Sequence, residues 1–458
     1  MNEVLAFLLV LAVFAALLAG YPVALTLAGV SVLFAGLGLA LGLIDAQLLS
    51  AIPNRIFGIM SNPTLVAVPL FILMGVLLER AKVADDLLEN MTALFGYRPG
   101  GLGISVLLVG AILAASTGIV GATVVTLGLI ALPVMLRRGY DPRIACGTIC
   151  ASGTLGQIIP PSIILVLLGD QISSAYAQAQ LAQGIFAPDT VSVSDLFMGA
   201  LIPGLLLVSL YLLYLLYAAW RHPARMPALS EDELANRPDT ARVIASLLPP
   251  VGLIVAVLGS IMGGIATPTE AAAVGAVGAA LIAAAKKRLS LAVLRDAGTT
   301  TVRMTSMVFL IFIGASVFSL LFRAYGGDDV VHEALSSLPG GTMTALLIVM
   351  AIIFLLGFIL DFIEITFVVV PIVAPILLMM GVDPIWLGIM IAINLQTSFL
   401  TPPFGFTLFY LRGVTPPEIP TTALYQGVIP FIVIQGVVLL AVATFTGLAT
   451  WLPGVLYR

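Results

Sequence analysis

The chain has 458 residues, of which 60% are hydrophobic and only 9% are charged, with a mean hydropathy of +1.17. Soluble proteins carry about 25% charged residues, so this composition excludes an ordinary soluble domain and indicates a membrane protein. The formal net charge of −4 and the lack of a basic tail give no indication of a nucleic-acid partner.

Apolar runs of about 20 residues predict membrane-spanning helices, since a membrane-spanning strand needs only about ten residues and alternates in polarity. The predicted fold class is therefore an all-α polytopic membrane protein. The first span begins near Val4, after an acidic start that lacks the basic leader of a cleaved signal peptide. Later in the first half, the sequence predicts two long loops, over residues 45–62 and 170–194.

The apolar stretch that begins at Gly101 is about 36 residues long, which greatly exceeds one crossing of a core about 30 Å thick. Small and polar residues interrupt it near its middle, so we predict a re-entrant hairpin over residues 101–138. A broken helix is predicted next, over residues 142–169. The second half is predicted to contain a corresponding hairpin over residues 342–380 and a broken helix over residues 384–410.

Six turn or helix-breaking residues recur at a constant offset of about 242 positions, which indicates an internal repeat. The pairs are Pro133 and Pro375, Gly139 and Gly381, Asp141 and Asp383, Pro142 and Pro384, Pro160 and Pro402, and Pro161 and Pro403. Each Pro-Pro pair predicts an unwound segment, because proline lacks an amide hydrogen and clashes with the preceding turn. Unwound backbone at membrane depth is tolerated only where protein, water or an ion satisfies it, and paired broken helices are typical of transporter binding sites.

An odd number of crossings separates the corresponding elements, which predicts two inverted repeats, residues 1–220 and 243–458. Each repeat would contain five crossings and one hairpin, and residues 221–242 would join them as a cytoplasmic loop. Basic residues of short loops fall on one side of this topology, which we therefore expect to face the cytoplasm. These residues are Arg137, Arg138, Arg143, Arg221, Arg225, Arg237, Arg242 and Lys286 to Arg288.

Two carboxylates, Asp361 and Glu364, lie deep in an otherwise apolar stretch at the predicted tip of the second hairpin. A charged side chain at the bilayer centre costs several kcal/mol, so such groups usually face a cavity and take part in function. The alternative is that the tip reaches water and the acids are simply solvated. We predict an ion-coupling role for Asp361, whereas for Glu364 both interpretations stay open.

Sodium prefers oxygen ligands, so we expect sites built from backbone carbonyls, hydroxyls and carboxylates at the hairpin tips and helix breaks. The first predicted sodium site consists of Ser116, Thr117, Gly118, Gly121, Ser152, Gly153, Thr154 and Gly156. The second consists of Asp361, Thr366, Asn394, Gln396, Thr397, Ser398 and Thr401. The predicted substrate contacts are Gln157, Ser162 and Glu364. The alternative for the small residues is that they only allow close helix packing.

The sequence contains no nucleophile elbow, P-loop or metal-binding His-Glu motif. Cys146 and Cys150 lie four residues apart on one predicted helix, where small packing residues are expected. The chain is therefore predicted not to be an enzyme, and no cofactor is expected apart from sodium as the coupling ion.

These motifs resemble the large membrane subunit, of the DctM type, of tripartite ATP-independent periplasmic (TRAP) transporters, and the resemblance covers nearly the whole chain. The motifs that carry it are Ser116 to Thr123, GYDP at Gly139, GTLGQIIPPS at Gly153, LDFIEITFVVVPIVAPIL at Leu360, GVDP at Gly381 and NLQTSFLTPPFG at Asn394. Glu364 departs from the small residue expected at its position, which leaves the ion stoichiometry open.

The resemblance implies a sodium-coupled secondary active importer of small organic acids in the bacterial inner membrane. It implies an elevator mechanism, in which the hairpins and broken helices move against a scaffold. It also implies two partners, a small four-helix membrane subunit (Q-type) and a periplasmic substrate-binding protein (P-type). No small-subunit segment precedes Val4 or follows Arg458, so this subunit is expected to be a second chain. Solute recognition is expected mainly in the binding protein, because no arginine suited to clamp a carboxylate is evident within the predicted spans.

Two alternatives belong to other classes of function. The first is a stand-alone anion and sodium symporter of related architecture, which would transport solute without a binding protein. The second is a membrane enzyme or a structural assembly subunit. The lack of a recognisable nucleophile, metal site or catalytic histidine disfavours an enzyme.

Overall fold

The structure is a computed structural model that describes residues 2–229 and 240–456, and within these residues it is helical and contains no strand. The helices of the first half are α1 (Asn2–Leu18), α2 (Val23–Ala40), α3 (Ala46–Leu49), α4 (Ala51–Ser61), α5 (Ala67–Arg80), α6 (Val83–Phe95), α7 (Gly101–Thr117), α8 (Val120–Arg137), α9 (Pro142–Thr154), α10 (Ile163–Ala182) and α11 (Val193–Arg221). Those of the second half are α12 (Thr240–Met262), α13 (Pro268–Ala285), α14 (Leu291–Ala324), α15 (Gly327–Ser336), α16 (Gly341–Leu356), α17 (Phe362–Glu364), α18 (Val370–Met379), α19 (Pro384–Leu400), α20 (Phe406–Val414), α21 (Thr421–Thr444) and α22 (Gly447–Leu456).

Eight helices in the described ranges are long and apolar enough to cross a membrane. This confirms the predicted all-α polytopic class. A helix satisfies every backbone hydrogen bond within its own segment, which is why a chain of this composition crosses the bilayer as helices.

We distinguish two groups of closely packed helices, called here the first and second bodies, and each contains elements from both halves of the chain. In the first body, α5 packs against α13 and α14, and α14 packs along α2. In the second body, α9 packs against α7, α8 and α21, while α10 packs against α18 and α19. The tertiary structure therefore interleaves the two halves of the chain.

Ion pairs join the helix ends of the first body. Arg80 Nε lies 2.8 Å from Asp296 Oδ2, and Lys286 Nζ lies 2.5 Å from Asp86 Oδ2. The first pair joins the end of α5 to the start of α14, and the second joins the end of α13 to the start of α6.

Two segments predicted as loops are largely helical. Residues 45–62 contain α3 and α4, and Asp45 caps α3 by accepting a hydrogen bond from the Gln47 amide at 3.0 Å. Within residues 170–194, α10 continues to Ala182, because Ile172, Ala175 and Ala179 present a buried apolar face. Both segments are rich in polar residues, so the apolar residues on one face of each helix were not recognised in the sequence.

The two broken helices are longer than predicted, and their breaks lie further along the chain. Instead of ending at residue 169, the first runs from Pro142 to Ala182, with a 3₁₀ turn at Leu155–Gln157 and non-helical backbone at 158–162. The second runs to Val414 rather than residue 410 and is interrupted at 401–405. Both Pro-Pro bonds are cis. A helix can continue until the turn before a proline, so the polar residues ahead of each Pro-Pro pair stay helical.

The linker between the two halves is only partly described. Of the predicted cytoplasmic loop 221–242, residues 230–239 lie outside the described residues, and α12 already begins at Thr240. At the other end of the second half, α21 ends at Thr444 and the separate helix α22 follows.

Helices α9 and α21 approach closely at a pair of glycines. A Cβ atom added at Gly427 would overlap the Arg143 carbonyl oxygen, and one added at Gly147 would overlap the Gly427 carbonyl. Close backbone contact at small residues is a common way in which membrane helices associate. By contrast, a Cβ at Gly436, on the same helix, would have no atom within 4 Å.

We predict that Gly427→Ala destabilises the protein by about 1–3 kcal/mol, because one methyl group forces the two helices apart. The measurement is the thermal unfolding midpoint of the purified protein in detergent. Gly436→Ala is the matched control and should leave the midpoint unchanged or slightly higher, since alanine favours helix more than glycine does. Equal midpoints for the two variants would contradict the close contact.

Candidate functional site

The first interruption lies in the buried centre of the second body. Ser152, Thr154 and Gln157 are fully buried there. The Ser162 hydroxyl donates to the Gln157 carbonyl at 3.1 Å and so ties together the two ends of the non-helical segment. Helix α10 begins at Ile163, where the first amides of any helix lack partners within the helix and carry partial positive charge.

The tip of the first hairpin folds onto this interruption. Helix α7 ends at Gly118, which has a left-handed φ of +61°, and α8 begins two residues later. A Cβ at Gly118 would lie 3.2 Å from the Ile163 amide nitrogen, and a Cβ at Gly156 would lie 2.8 Å from the Ala114 carbonyl oxygen. Glycine at these positions therefore lets the tip and the break approach at backbone distance.

Hydroxyl groups at the first tip and break all use their hydrogen within the protein. Thr117 and Thr123 share a hydrogen bond of 2.8 Å across the tip, and Ser116 donates to the Leu113 carbonyl. Ser152 and Thr154 donate to carbonyls three residues earlier. A hydroxyl that donates its one hydrogen keeps lone pairs as acceptors, which is the arrangement that a cation requires.

The two broken helices meet just ahead of their breaks. The Gln396 side-chain amide donates to Thr154 Oγ1 at 3.5 Å, at the limit of a hydrogen bond, and both side chains are fully buried. These two residues are 242 positions apart, the same offset as the paired prolines and glycines. Ahead of and at the start of the second break, Thr397, Ser398 and Thr401 donate their hydroxyl hydrogens to carbonyls of their own helix.

Asp361 and Glu364 form a capping box at the start of α17. The Asp361 carboxylate accepts from the Phe362 amide at 2.8 Å, and Glu364 Oε2 accepts from the Asp361 amide at 2.8 Å. This contact gives Glu364 a structural role that the sequence analysis missed. The spacing Asp-x-x-Glu ahead of an apolar run is the signature of such a cap, so the signal was present in the sequence.

The second hairpin also packs on its own broken helix. A Cβ at Gly357 would overlap the Ser398 hydroxyl. The Asn394 side-chain amide donates to the Met350 carbonyl at 2.8 Å, which fastens α19 to the first arm of the hairpin. Beyond the cap, Ile365–Val369 forms a π-helical segment that carries Thr366, whose buried hydroxyl has no hydrogen-bond partner in the described part of the chain.

Tyr410 lies beside the first hairpin and was not predicted as a site residue. A Cβ at Gly121, near the first tip, would lie 3.0 Å from the Tyr410 ring. No sequence signal distinguished this tyrosine, and only the fold brings it to the first tip.

The structure places the predicted site residues in two groups that meet at the Gln396–Thr154 contact. The first group joins the first tip to the first break, and the second joins Asn394 and Ser398 to the second hairpin. Ser152, Gly153, Asn394 and Gln396 lie in helical backbone ahead of the breaks, rather than at the breaks where they were predicted. Their helices continue past them, as the position of the prolines requires.

The residues present fit sodium. The hydroxyl oxygens that keep free lone pairs, the terminal carbonyls of α7 and α19, and the Asp361 carboxylate are hard oxygen donors. Gln157 adds a buried amide of which neither polar atom has a hydrogen-bond partner within residues 2–229 and 240–456. A buried amide without a partner costs free energy, so its presence here supports a polar ligand at the break.

Comparison with known proteins identifies the family of the chain. Residues 10–448 match the family model described as the tripartite ATP-independent periplasmic transporter, DctM component. The chain is 32% identical over 399 residues to a C4-dicarboxylate TRAP transporter large permease protein of Rhodobacter capsulatus, with 85% of each chain covered. It is 29% identical over 388 residues to an isethionate TRAP transporter permease protein DctMQ of Oleidesulfovibrio alaskensis, which covers 82% of this chain and 56% of that protein.

Among solved structures, the YdaH transporter of Alcanivorax borkumensis has a TM-score of 0.60 with this chain. The alignment covers 88% of this chain and 90% of that one, at 15% sequence identity. At this identity the likeness concerns the fold alone.

We predict that Glu364→Gln keeps the thermal stability of the protein, because the glutamine carbonyl can accept the same hydrogen bond from the Asp361 amide. Glu364→Ala removes that bond and should lower the free energy of unfolding by about 1 kcal/mol. Thermal unfolding of both purified variants in detergent tests this. If Glu364→Gln loses as much stability as Glu364→Ala, then the cap is not what Glu364 contributes.

Proposed function

The chain belongs to the DctM component family of tripartite ATP-independent periplasmic transporters, and on this premise we propose that it is the large membrane subunit of a sodium-coupled importer of small organic acids. Its family members are transporters, not enzymes, and the chain is a multi-pass protein of the bacterial inner membrane.

The observation that carries the proposal is the crossing of two interrupted helices in the buried centre of the second body. Each interruption leaves helix ends whose backbone groups lack partners within the helix, in a region where bilayer hydrocarbon offers none. Thr154 and Gln396 meet at this crossing, and a hairpin tip covers the first interruption. Such a centre supports binding of ions and solute at mid-membrane.

The sign of the charges at these helix ends supports the proposed sodium coupling. Terminal carbonyls of α7 and α19, together with Asp361, attract a cation, whereas the amide ends of α10 and α20 attract an anion. A bound sodium ion offsets the buried negative charge and so makes binding of the anionic solute more favourable. Asp361 is proposed as the acidic ligand of the second sodium site, and Glu364 holds the backbone of Asp361 in place.

An elevator movement is proposed for the second body, which would carry both interrupted helices and both hairpins against the first body. Where the two bodies meet, Phe312 of α14 stacks on Phe367 of the π-helical segment, with ring centroids 3.8 Å apart. Besides this apolar contact, hydrogen bonds from Arg323 to Gln178 and to the Pro371 carbonyl also cross the boundary, so the proposed movement would have to break them.

The proposed solutes are small organic anions, with carboxylates first. One relative is named for C4-dicarboxylates and another for isethionate, and both names denote small organic anions. The amide ends of α10 and α20 suit such anions without the need for a basic side chain in the centre of the body.

The family implies further subunits and a substrate-binding protein. We propose that the small membrane subunit is a separate chain here, although the relative from Oleidesulfovibrio alaskensis is named as a DctMQ protein. The family match favours this tripartite arrangement over a stand-alone symporter.

We predict that proteoliposomes containing the chain, its small subunit and the loaded binding protein accumulate solute only with an inward sodium gradient. Asp361→Asn should reduce this accumulation at least tenfold, because the amide removes the negative charge at the proposed sodium site. The measurement is uptake of radiolabelled solute with and without sodium.

Glu89→Gln is the matched control, since it makes the same change of acid to amide at an exposed position on α6, and it should transport normally. Sodium-driven uptake by Asp361→Asn at the control rate would remove Asp361 from the coupling site. Uptake without the binding protein would favour the stand-alone symporter instead.

A further inference from the structure

A pocket of about 360 Å³ lies between the two bodies, away from the crossing of the interrupted helices. Helices α4 and α14 line it from the first body, and α10 and the second hairpin line it from the second. We call it the arginine pocket, because Arg55 of α4 and Arg323 of α14 both line it. Its volume falls in the range of small-molecule sites, about 300–1,000 Å³.

The two arginines face the same space from different helices. Arg323 donates to the Gln178 side chain at 3.2 Å and to the Pro371 carbonyl at 3.3 Å, so its position is fixed. Arg55 donates to the Ser316 carbonyl at 3.5 Å, which is at the limit of a hydrogen bond. The Arg55 guanidinium therefore retains donors for another partner.

The charges around the pocket leave Arg55 uncompensated. Asp328 pairs with Arg323 at 3.0 Å, and the carboxylate of Asp170 is held by the amides of Asn62 at 2.8 Å and Gln171 at 3.0 Å. No ion pair joins Arg55 to an acid within the described ranges of the chain. Burial lowers the pKa of Arg55, and the positive charge of Arg323 lowers it further, so the two guanidinium groups repel each other. An anion between them would relieve this repulsion.

The pocket lies at the end of the protein opposite the basic cluster. Lys286, Lys287 and Arg288 lie just before the start of α14, whereas Arg323 lies at its other end, about 50 Å away along the helix. The loop 183–192, which follows α10 at the pocket end, contains no lysine or arginine. By the positive-inside rule the arginine pocket therefore opens away from the cytoplasm.

We propose that the arginine pocket is a receiving site for a small organic carboxylate on the non-cytoplasmic face, in which Arg55 and Arg323 bind the carboxylate before it reaches the interrupted helices. Arginine presents a planar fork of donors that matches a carboxylate. Gln178, Ser174 and Ser316 supply further polar groups for the rest of the molecule. The inference rests on the proposed function and assigns a second, outer site to the same path. Arg55 and Arg323 both lie outside the spans predicted from the sequence, in which no such arginine was expected.

The test is direct binding of succinate to the purified full-length chain, measured by isothermal titration calorimetry. Arg55→Gln should weaken binding about tenfold or more, because charged hydrogen bonds to the carboxylate are lost. Arg303→Gln, an exposed arginine on the same helix as Arg323 but outside the pocket, is the matched control and should bind like the wild type. Arg323→Gln is expected to weaken binding too, but Arg55→Gln decides the test, since Arg323 also fastens α14 to the second body.

Wild-type affinity in Arg55→Gln, or no binding of succinate to the wild-type chain, overturns the receiving site. Sodium-driven uptake by the wild-type proteoliposomes is measured in parallel. If that uptake is present while Arg55→Gln behaves like Arg303→Gln, the inference fails and the proposed function stands. If the wild type shows no sodium-driven uptake, the proposed function fails, whatever the binding result.

Discussion

The structure depends on one constraint, which is that backbone groups released from a helix inside a membrane protein need a partner. Two Pro-Pro pairs release such groups in the second body, at residues 158–162, which are largely buried, and at residues 401–405, where Pro403 and Phe404 are exposed. The structure around the first break responds to this. Ser162 bonds across the first break, and Gly118 and Gly156 allow the first hairpin tip to reach it. An interruption is costly for a buried helix, and the first one persists because neighbouring segments cover it.

Hydroxyl side chains in this centre can donate a hydrogen bond within the protein and still accept one from, or coordinate, a ligand. Their hydrogens satisfy nearby carbonyls, as Thr154 and Ser398 illustrate, and this fixes their orientation. Their lone pairs remain available as acceptors. The two acids also form hydrogen bonds within the protein. Glu364 accepts a hydrogen bond from the Asp361 amide, and Asp361 caps α17. A region built in this way could accept a cation without any change in the hydrogen bonds of its hydroxyl groups.

Charged groups occupy different parts of the molecule. Acids and hydroxyls lie near the interrupted helices, arginines line a pocket between the two bodies, and the basic cluster at Lys286 lies at the opposite end of α14. Under the two proposals made above, an anion that enters from the non-cytoplasmic side would meet the arginines first and then the helix amide ends beside the proposed sodium sites. Each of these steps would offer a carboxylate a compensating charge.

The sequence by itself determined the class of the protein and the places where its helices break. Composition required membrane helices, and the prolines required interruptions near residues 160 and 402, because both are local properties of the chain. The prediction placed some helix ends too early at polar residues; α10, for example, continues to Ala182. Burial of one face of a helix depends on contacts with other helices, and the sequence alone does not show which helices pack together. The Asp361–Glu364 cap was encoded locally but overlooked. Only the tertiary structure brought Gln396 to Thr154, Tyr410 to Gly121 and Arg55 to Arg323, because these contacts join residues far apart in the chain, whose proximity depends on how the whole molecule packs.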